Sequence, residues 1–518
     1  MTRTQRILSS TGISYMNQAA IMALGLWLTP FLLQRVGQRS LGLWLVINQT
    51  LGYLTLLDFG VIAMLPREVA VASGLPGPAR QERLASLINR VRAIVRWQTL
   101  ALGGISVAIW WWMPAGWSEL RWPLAVVLLA FVACYPLRVP NAVLQGLQDL
   151  PFLAKTQFIG WAAGSVTTIV LVARGNGLLG LVAGWTVTLA LPAVAAWWRL
   201  RTAYRPMKAP SDNGSAAPYL QKSAWVSVSQ IAQVFLSGSD VMLLARLLGP
   251  AAVVPYSCTG KLVTVFANHP QLLMHAAQPA LSELRASESK ARLASVATAL
   301  SQAMLIMSGA LLVVILPVNE FFVSSWVGPS QYSGLALTFA LVTMMLMRHW
   351  NVATIYTLFC FGYERQLSLT SLADGVLSIV LTAALVSKWG AIGAPIASIV
   401  SVLLISLPMN TRSVAREMGM RSFAFLMRLL PLLASITLVA GTAGLLAVRY
   451  PAVTLVAVVE RTVPLVLGYA ALVAPLAWFG PLRPYIRMLL RLRSETRRAT
   501  AGPASDGVAT SQVNVGVR

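Results

Sequence analysis

Three carboxylates and three cations sit in stretches of this chain that otherwise look like hydrocarbon. Asp58 lies in the run LTLLDFGVIAM (Leu54 to Met64), and Asp240 and Asp374 fall in two other apolar runs; Arg138, Lys261 and Arg348 fall in three more. A charged side chain at mid-bilayer costs about 2.5–3.5 kcal/mol even by insertion scales, so such residues face a bundle interior or a watery cavity. Two chemistries are open to the six. They can form interhelical ion pairs that fix packing. Alternatively they exchange partners, the acids with a coupling ion (H+ or Na+) and the cations with an anionic ligand. Arginine cannot be neutralised cheaply, so Arg348 demands a permanent anionic or carbonyl partner, or a ligand in its place. Arg138 is flanked by Pro136 and Pro140, which break or kink a helix and free backbone carbonyls. His349, beside Arg348, has an unperturbed pKa near physiological pH and is a candidate proton relay; the plainer reading is a buried structural histidine.

Other chemistry is poorly represented. His269 and His275, with Asn268 and Gln271, make a polar patch, but no carboxylate or cysteine stands at ligand spacing, so no metal site is expected. Cys134, Cys258 and Cys360 all lie in apolar runs and read as inert buried thiols. No nucleophile elbow, P-loop or paired-carboxylate site occurs. The chain therefore reads as neither an enzyme nor an ATP-driven pump, and no catalytic residue or cofactor is expected beyond the coupling ion.

The elements that must position these charges are membrane helices. Of 518 residues, 57% are hydrophobic and 11% charged, with a mean hydropathy of +0.70; soluble domains carry roughly 25% charged residues. Apolar runs of about twenty residues, enough to cross the hydrocarbon core as helix, recur from Ser9 to Phe479 and give about fourteen spans. The net charge of +24 does not indicate nucleic acid, because the basic residues fall between apolar runs. They concentrate in both tails and in the even-numbered loops, which places both termini in the cytoplasm. The basic start, Met1 to Arg6, precedes a run that Asn17 and Gln18 interrupt and that continues past Leu33, as in a retained helix and not a cleaved signal. The tail beyond Pro481 alternates Arg with Leu, Ile and Met, as an interfacial helix on an anionic leaflet does.

The chain also repeats itself. Leu32-Leu33-x-Arg35 leads to Gly37 and Trp44; Leu243-Leu244-x-Arg246 leads to Gly249 and Tyr256, an offset of 212 between the glycines. Gly177-x2-Gly180-x3-Gly184 matches Gly390-x2-Gly393-x3-Ala397 at an offset of 213. The expected organisation is a six-helix lobe over 1–198, a cytoplasmic linker over 199–222, a second six-helix lobe over 223–411, an additional helix pair over 412–480 and a basic cytoplasmic tail over 481–518. A repeat with an even number of crossings places both copies the same way up, related by a pseudo-twofold axis along the membrane normal.

The stretch from Leu32 to Ala70, LLQRVGQRSLGLWLVINQTLGYLTLLDFGVIAMLPREVA, resembles the opening helix pair of the bacterial polysaccharide (lipid-linked oligosaccharide) flippases of the MOP superfamily. SGSDVMLLARLLGPAAVVPYSCTGKL (Ser237 to Leu262) is similar to that family's seventh and eighth helices, and GAIGAPIASIVS (Gly390 to Ser401) to its twelfth. The resemblance implies an all-α MATE-like fold of about fourteen transmembrane helices in the bacterial inner membrane. It implies alternating access that carries a polyprenyl-pyrophosphate-linked oligosaccharide outward for surface polysaccharide or O-antigen assembly. The partners implied are that lipid-linked oligosaccharide, membrane lipids and other polysaccharide assembly proteins. A pyrophosphate would receive charge-assisted hydrogen bonds from Arg348, Arg138 and Lys261, which makes these the expected substrate contacts. Asp58, Asp240, Asp374 and His349 are the expected coupling or charge-pair residues. Asp58 is expected on the cavity side of the second span, and Asp374 near a helix end, snorkelling or capping. A lipid II flippase and an ion-coupled multidrug exporter are the rival readings.

Overall fold

Glycine, proline and short turns cut the apolar runs into helices; the computed structural model describes residues 3–74, 77–204, 217–274, 277, 281, 290–450 and 454–488. In the first half these are α1 (Arg3–Val36), α2 (Gln38–Leu54), α3 (Val61–Ser73), α4 (Gly77–Trp111), α5 (Arg121–Cys134), α6 (Arg138–Gly146), α7 (Leu150–Ala173) and α8 (Gly177–Ala203). The second half holds α9 (Ala217–Leu247), α10 (Pro250–Thr259), α11 (Lys261–Phe266), α12 (Lys290–Val327), α13 (Leu335–Cys360), α14 (Glu364–Trp389), α15 (Gly393–Ser401) and α16 (Leu407–Glu417). A final pair follows, α17 (Ser422–Arg449) and α18 (Leu455–Phe479). Among the described residues there is no strand.

Among the described residues, ten helical stretches are long and apolar enough to cross a membrane. One of them, Glu364–Glu417, turns back on itself at Gly390 (φ 65°) and makes two crossings. The first span, apolar over Ala20–Val36, the more polar α9, and the eighth span, broken at Gly260, complete the expected fourteen. Several spans are not continuous helices. A 3₁₀ turn over Thr55–Asp58 breaks the second, another over Tyr135–Leu137 breaks the fourth, and a π turn over Val402–Ser406 interrupts the twelfth. Of these, sequence marked only the fourth, through its prolines.

The repeat is written into the backbone. Gly37 (φ 85°) and Gly249 (φ 91°) take the same left-handed conformation just before α2 and α10, a region open to glycine without steric cost. In the hairpin of α7 and α8, a Cβ on Gly180 would stand 2.9–3.0 Å from Val172. In the hairpin of α14 and α15, a Cβ on Gly393 would stand 2.4 Å from the backbone of Leu385. Gly180 and Gly393, like Val172 and Leu385, are 213 residues apart, so the same close approach recurs at the same offset.

Each lobe has its own core. One is built around Leu43, Ile47, Val61, Val91, Val127 and Val182; the other around Leu244, Val253, Leu312, Val342, Val386 and Val402. The added pair joins the second core through Ile436 and Leu465, and the Tyr469 hydroxyl donates to the Ile306 carbonyl of α12 at 2.8 Å. Large apolar side chains remain on the outside, as a lipid solvent requires. Trp111, Trp112 and Trp122 are exposed together around the α4–α5 connection, a place typical of interfacial anchors.

The lobes meet along α2 and α3 against α9, and again at the end that carries Gly37 and Gly249. There the Gln38 amide donates to the Ala251 carbonyl at 2.9 Å, the Gln331 amide to Gln38 at 3.1 Å, and the Trp326 indole N–H to the Leu26 carbonyl at 2.5 Å. Leu32, Leu41, Val254 and Val323 form a small apolar cluster in the same seam.

Candidate functional site

The break in the second span gives Asp58 its surroundings. After the 3₁₀ turn the chain passes through two left-handed residues, Phe59 (φ 45°) and Gly60 (φ 69°), before α3 begins. Such a break strands backbone donors that lipid cannot satisfy. Asp58 Oδ1 accepts the Gly60 N–H at 2.8 Å, and the Gln98 amide donates to the Asp58 carbonyl at 2.9 Å. The other carboxylate oxygen accepts from an Arg138 Nη2 at 3.3 Å, and Asp58 is only 1% exposed. Asp58 thus closes the turn that precedes α3 and pairs with a cation.

Arg138 begins α6, directly after the break over Tyr135–Leu137. Two interrupted spans are therefore tied together at their interruptions. The pair uses Arg138 incompletely. Its guanidinium lies over the Tyr135 ring at 5.3 Å, and its Nη1 is buried without a hydrogen-bond partner.

Arg348 is fully engaged. From the middle of α13 it donates to both Asp374 oxygens, at 2.7 and 3.2 Å. Its Nε and Nη2 reach the Ser398 hydroxyl at 3.0 and 2.8 Å, and Nη2 also reaches the Ser401 hydroxyl at 3.2 Å. Asp374 in turn accepts from the Ser406 hydroxyl at 2.6 Å and is 0% exposed. The serines arrive by backbone geometry. Ser398 and Ser401 are one turn apart on α15, and the π turn that follows, with its i→i+5 spacing, brings Ser406 round to the same pair. Asp374 therefore differs from the snorkelling or capping residue expected of it: α14 begins at Glu364, so Asp374 lies about three turns inside the helix.

Asp240, near the end of α9, accepts a hydrogen bond from the Tyr256 hydroxyl of α10 at 3.0 Å. Among the described residues it forms no salt bridge, which sets it apart from Asp58 and Asp374. Tyr53 of α2 lies near it, so this acid sits at the seam between the lobes. Lys261 opens α11 one residue after the helix break at Gly260. Among the described residues its ammonium has neither an ion-pair nor a hydrogen-bond partner. The break itself is held by Asn319, 0% exposed, whose amide donates to the Thr259 carbonyl and the Thr338 hydroxyl, both at 2.9 Å.

His349 faces away from this chemistry. It is buried, with Nδ1 2.7 Å from the Ser308 hydroxyl. Nδ1 is thus occupied by a packing partner. His269 contacts the Phe266 carbonyl at 3.3 Å, whereas His275 lies outside the described residues. Among the described residues no three His, Cys, Asp or Glu side chains gather as metal ligands. Cys134 and Cys258 are buried and Cys360 is half-buried.

Among the described residues the six charges therefore separate into two ion pairs, one acid bonded to a tyrosine, and one lysine without a partner. Sequence reading missed the neutral partners: Gln98, Tyr256, Asn319 and Ser398, Ser401 and Ser406. The i, i+3 spacing of Ser398 and Ser401 was a visible hint. Between the lobes, α2, α4, α5 and α9 enclose a cleft of about 600 Å³ with an almost wholly apolar lining that includes Ile47, Leu54, Ile109, Leu124 and Met242.

Two six-crossing lobes related by an internal repeat and followed by a helix pair make up the fold. The chain is similar in fold to the lipid II flippase MurJ in an inward closed conformation (TM-score 0.59, 11% identity, 91% of this chain and 99% of that one). It is also similar to an inward-facing multidrug resistance MATE family transporter (0.54, 13%, 78% and 98%). A third likeness is to an aspartate-to-asparagine variant of the Vibrio cholerae MATE transporter VcmN (0.51, 11%, 80% and 97%). At these identities the likeness is one of fold. The family comes from sequence: the chain belongs to the polysaccharide biosynthesis protein family, whose model matches residues 7–285, more than half its length. No curated protein matches it in sequence. The protein is a multi-pass membrane protein of that family.

Proposed function

We propose that the protein is a flippase that moves a polyprenyl-pyrophosphate-linked oligosaccharide across the bacterial inner membrane by alternating access, for surface polysaccharide or O-antigen assembly. Membership of the polysaccharide biosynthesis family carries this reading, because it attaches a glycan to a fold shared with multidrug transporters and a lipid II flippase. The site supports it in two ways. Lys261 is a cation without a described partner, and Arg138 keeps an unused donor at its buried Nη1. The apolar cleft between the lobes offers the polyprenyl chain a seat while the sugars occupy the wetter interior. The test is deletion of the gene in its host. Surface polysaccharide should disappear and its lipid-linked repeat should accumulate on the inner leaflet, with lipid II pools unchanged. Accumulation of lipid II instead would favour the second reading, a lipid II flippase, which rests on the 91% coverage of this chain by the MurJ fold.

The orientation belongs to the same reading. In a background without Cys134, Cys258 and Cys360, single cysteines at the exposed Asn176 and Ser330 are expected to react with an impermeant thiol reagent from the periplasm. A cysteine at Ser211 in the linker is expected to react only after the inner membrane is opened. The reverse pattern would invert the topology.

Asp240 is the acid best placed to couple transport to a proton or Na+, since among the described residues it forms no salt bridge and it stands at the seam of the lobes. Asp240→Asn is expected to flatten the pH dependence of transport at normal protein abundance. An unchanged pH profile would remove Asp240 from coupling.

A further inference from the structure

Beside the α5–α6 break, α4, α6 and α8 splay around a cavity of about 680 Å³ that no role above uses. Its floor is apolar, formed by Pro136, Leu137, Val139, Pro140 and Val143; Arg138, which reaches to Asp58, is not part of the lining. Its rim is cationic. Arg92 and Arg96, one turn apart on α4, meet Arg201 from the last turns of α8, and the Arg201 guanidinium stacks on Trp197 at 4.1 Å.

This convergence is unfavourable as it stands. Like charges at i, i+4 oppose each other, and Arg92 and Arg201 repel across the cavity. Among the described residues no carboxylate lines the cavity and none of the three arginines forms an ion pair. Asp149, an acid close by, is already engaged by Arg199 at 3.1 Å and by the Tyr204 hydroxyl at 3.4 Å. Three arginines over an apolar floor complement a ligand that carries more than one negative charge and hydrocarbon beneath it. Basic pockets between transmembrane helices hold such head groups by charge and hydrogen bonding together.

We propose that this cavity is a second, separate site that binds the head group of a membrane lipid bearing two phosphates, with its chains on the floor around Val143. Cardiolipin and a lipid pyrophosphate share that chemistry. The pyrophosphate source rests on the flippase reading; the phospholipid source is independent of it.

The test measures binding of cardiolipin, farnesyl pyrophosphate and singly charged phosphatidylglycerol to the full chain in detergent. A doubly charged probe is expected to bind more tightly than phosphatidylglycerol. Combined Arg92→Gln, Arg96→Gln and Arg201→Gln should weaken it by about tenfold or more, the scale of losing a hydrogen bond to a charged group. The combined Arg→Lys variant should keep most of the affinity, which separates lost charge from lost fold; should the triple Gln variant misfold, Arg96→Gln alone is read in its place. Preference for cardiolipin assigns the site to a resident phospholipid, and preference for farnesyl pyrophosphate assigns it to the cargo head group. Equal binding of all probes, or unchanged binding by the Gln variants, overturns the site.

Discussion

Arg348→Ala is expected to destabilise the protein by about 3–5 kcal/mol, the scale of breaking a buried pair by removing one partner. The geometry explains why the figure is large. Asp374, which is 0% exposed, would keep only the Ser406 hydroxyl among its described side-chain partners, while α13 would lose its ties to α14 and α15 together. Asp374→Ala should be comparably damaging, because it strands a guanidinium. The double replacement Arg348→Met with Asp374→Leu should recover most of the loss, since no unpaired charge then remains and apolar substitutes of similar volume are tolerated where a buried pair stood. Thermal unfolding in detergent and abundance in membranes read the difference. A single variant as stable as the parent would show that the pair is not a structural strut.

Lys261 should behave in the opposite way. Its ammonium has no described partner, so Lys261→Gln leaves no orphaned charge and protein abundance should stay normal. If the lysine meets the cargo pyrophosphate, surface polysaccharide export should still fall by about tenfold or more, the equivalent of one lost charge-assisted hydrogen bond. Arg138→Gln should lower export too, with some loss of stability, because Asp58 then keeps the Gly60 N–H but no cation. Export is scored against membrane abundance for each variant. Undiminished export by Lys261→Gln would take that lysine out of the cargo path.

The span count, the repeat and the identity of the charged residues were readable from sequence because each rests on a strong local signal. Hydropathy over twenty residues, a glycine at a left-handed turn and an ion in a bilayer run have few alternative explanations. The partnerships were not readable. Asp374 looked close to a helix end because its apolar run starts at about Leu367; the helix starts at Glu364 and carries the acid to the depth of Arg348. Ser406 reaches that pair only because a π turn changes the winding of the twelfth span, and nothing in VLLIS announces one. Asp58 was recognisable as a buried charge. Its service to the Gly60 N–H depends on Phe59 and Gly60 both turning left-handed, and Phe59 gives no sign of that.

The matched hairpin glycines also bear on ancestry. Shifted by 213 residues, Arg348 and Asp374 fall on Tyr135 and Trp161, and Asp58 and Arg138 fall on Gln271 and Asn351. Neither ion pair has a counterpart in the other half, although the backbone contacts at Gly180 and Gly393 coincide. A gene duplication followed by divergence leaves this mark: steric demands on the chain persist in both copies, while charge is free to specialise in each. A chain assembled from two first halves would keep its hairpins and have no Arg348 strut.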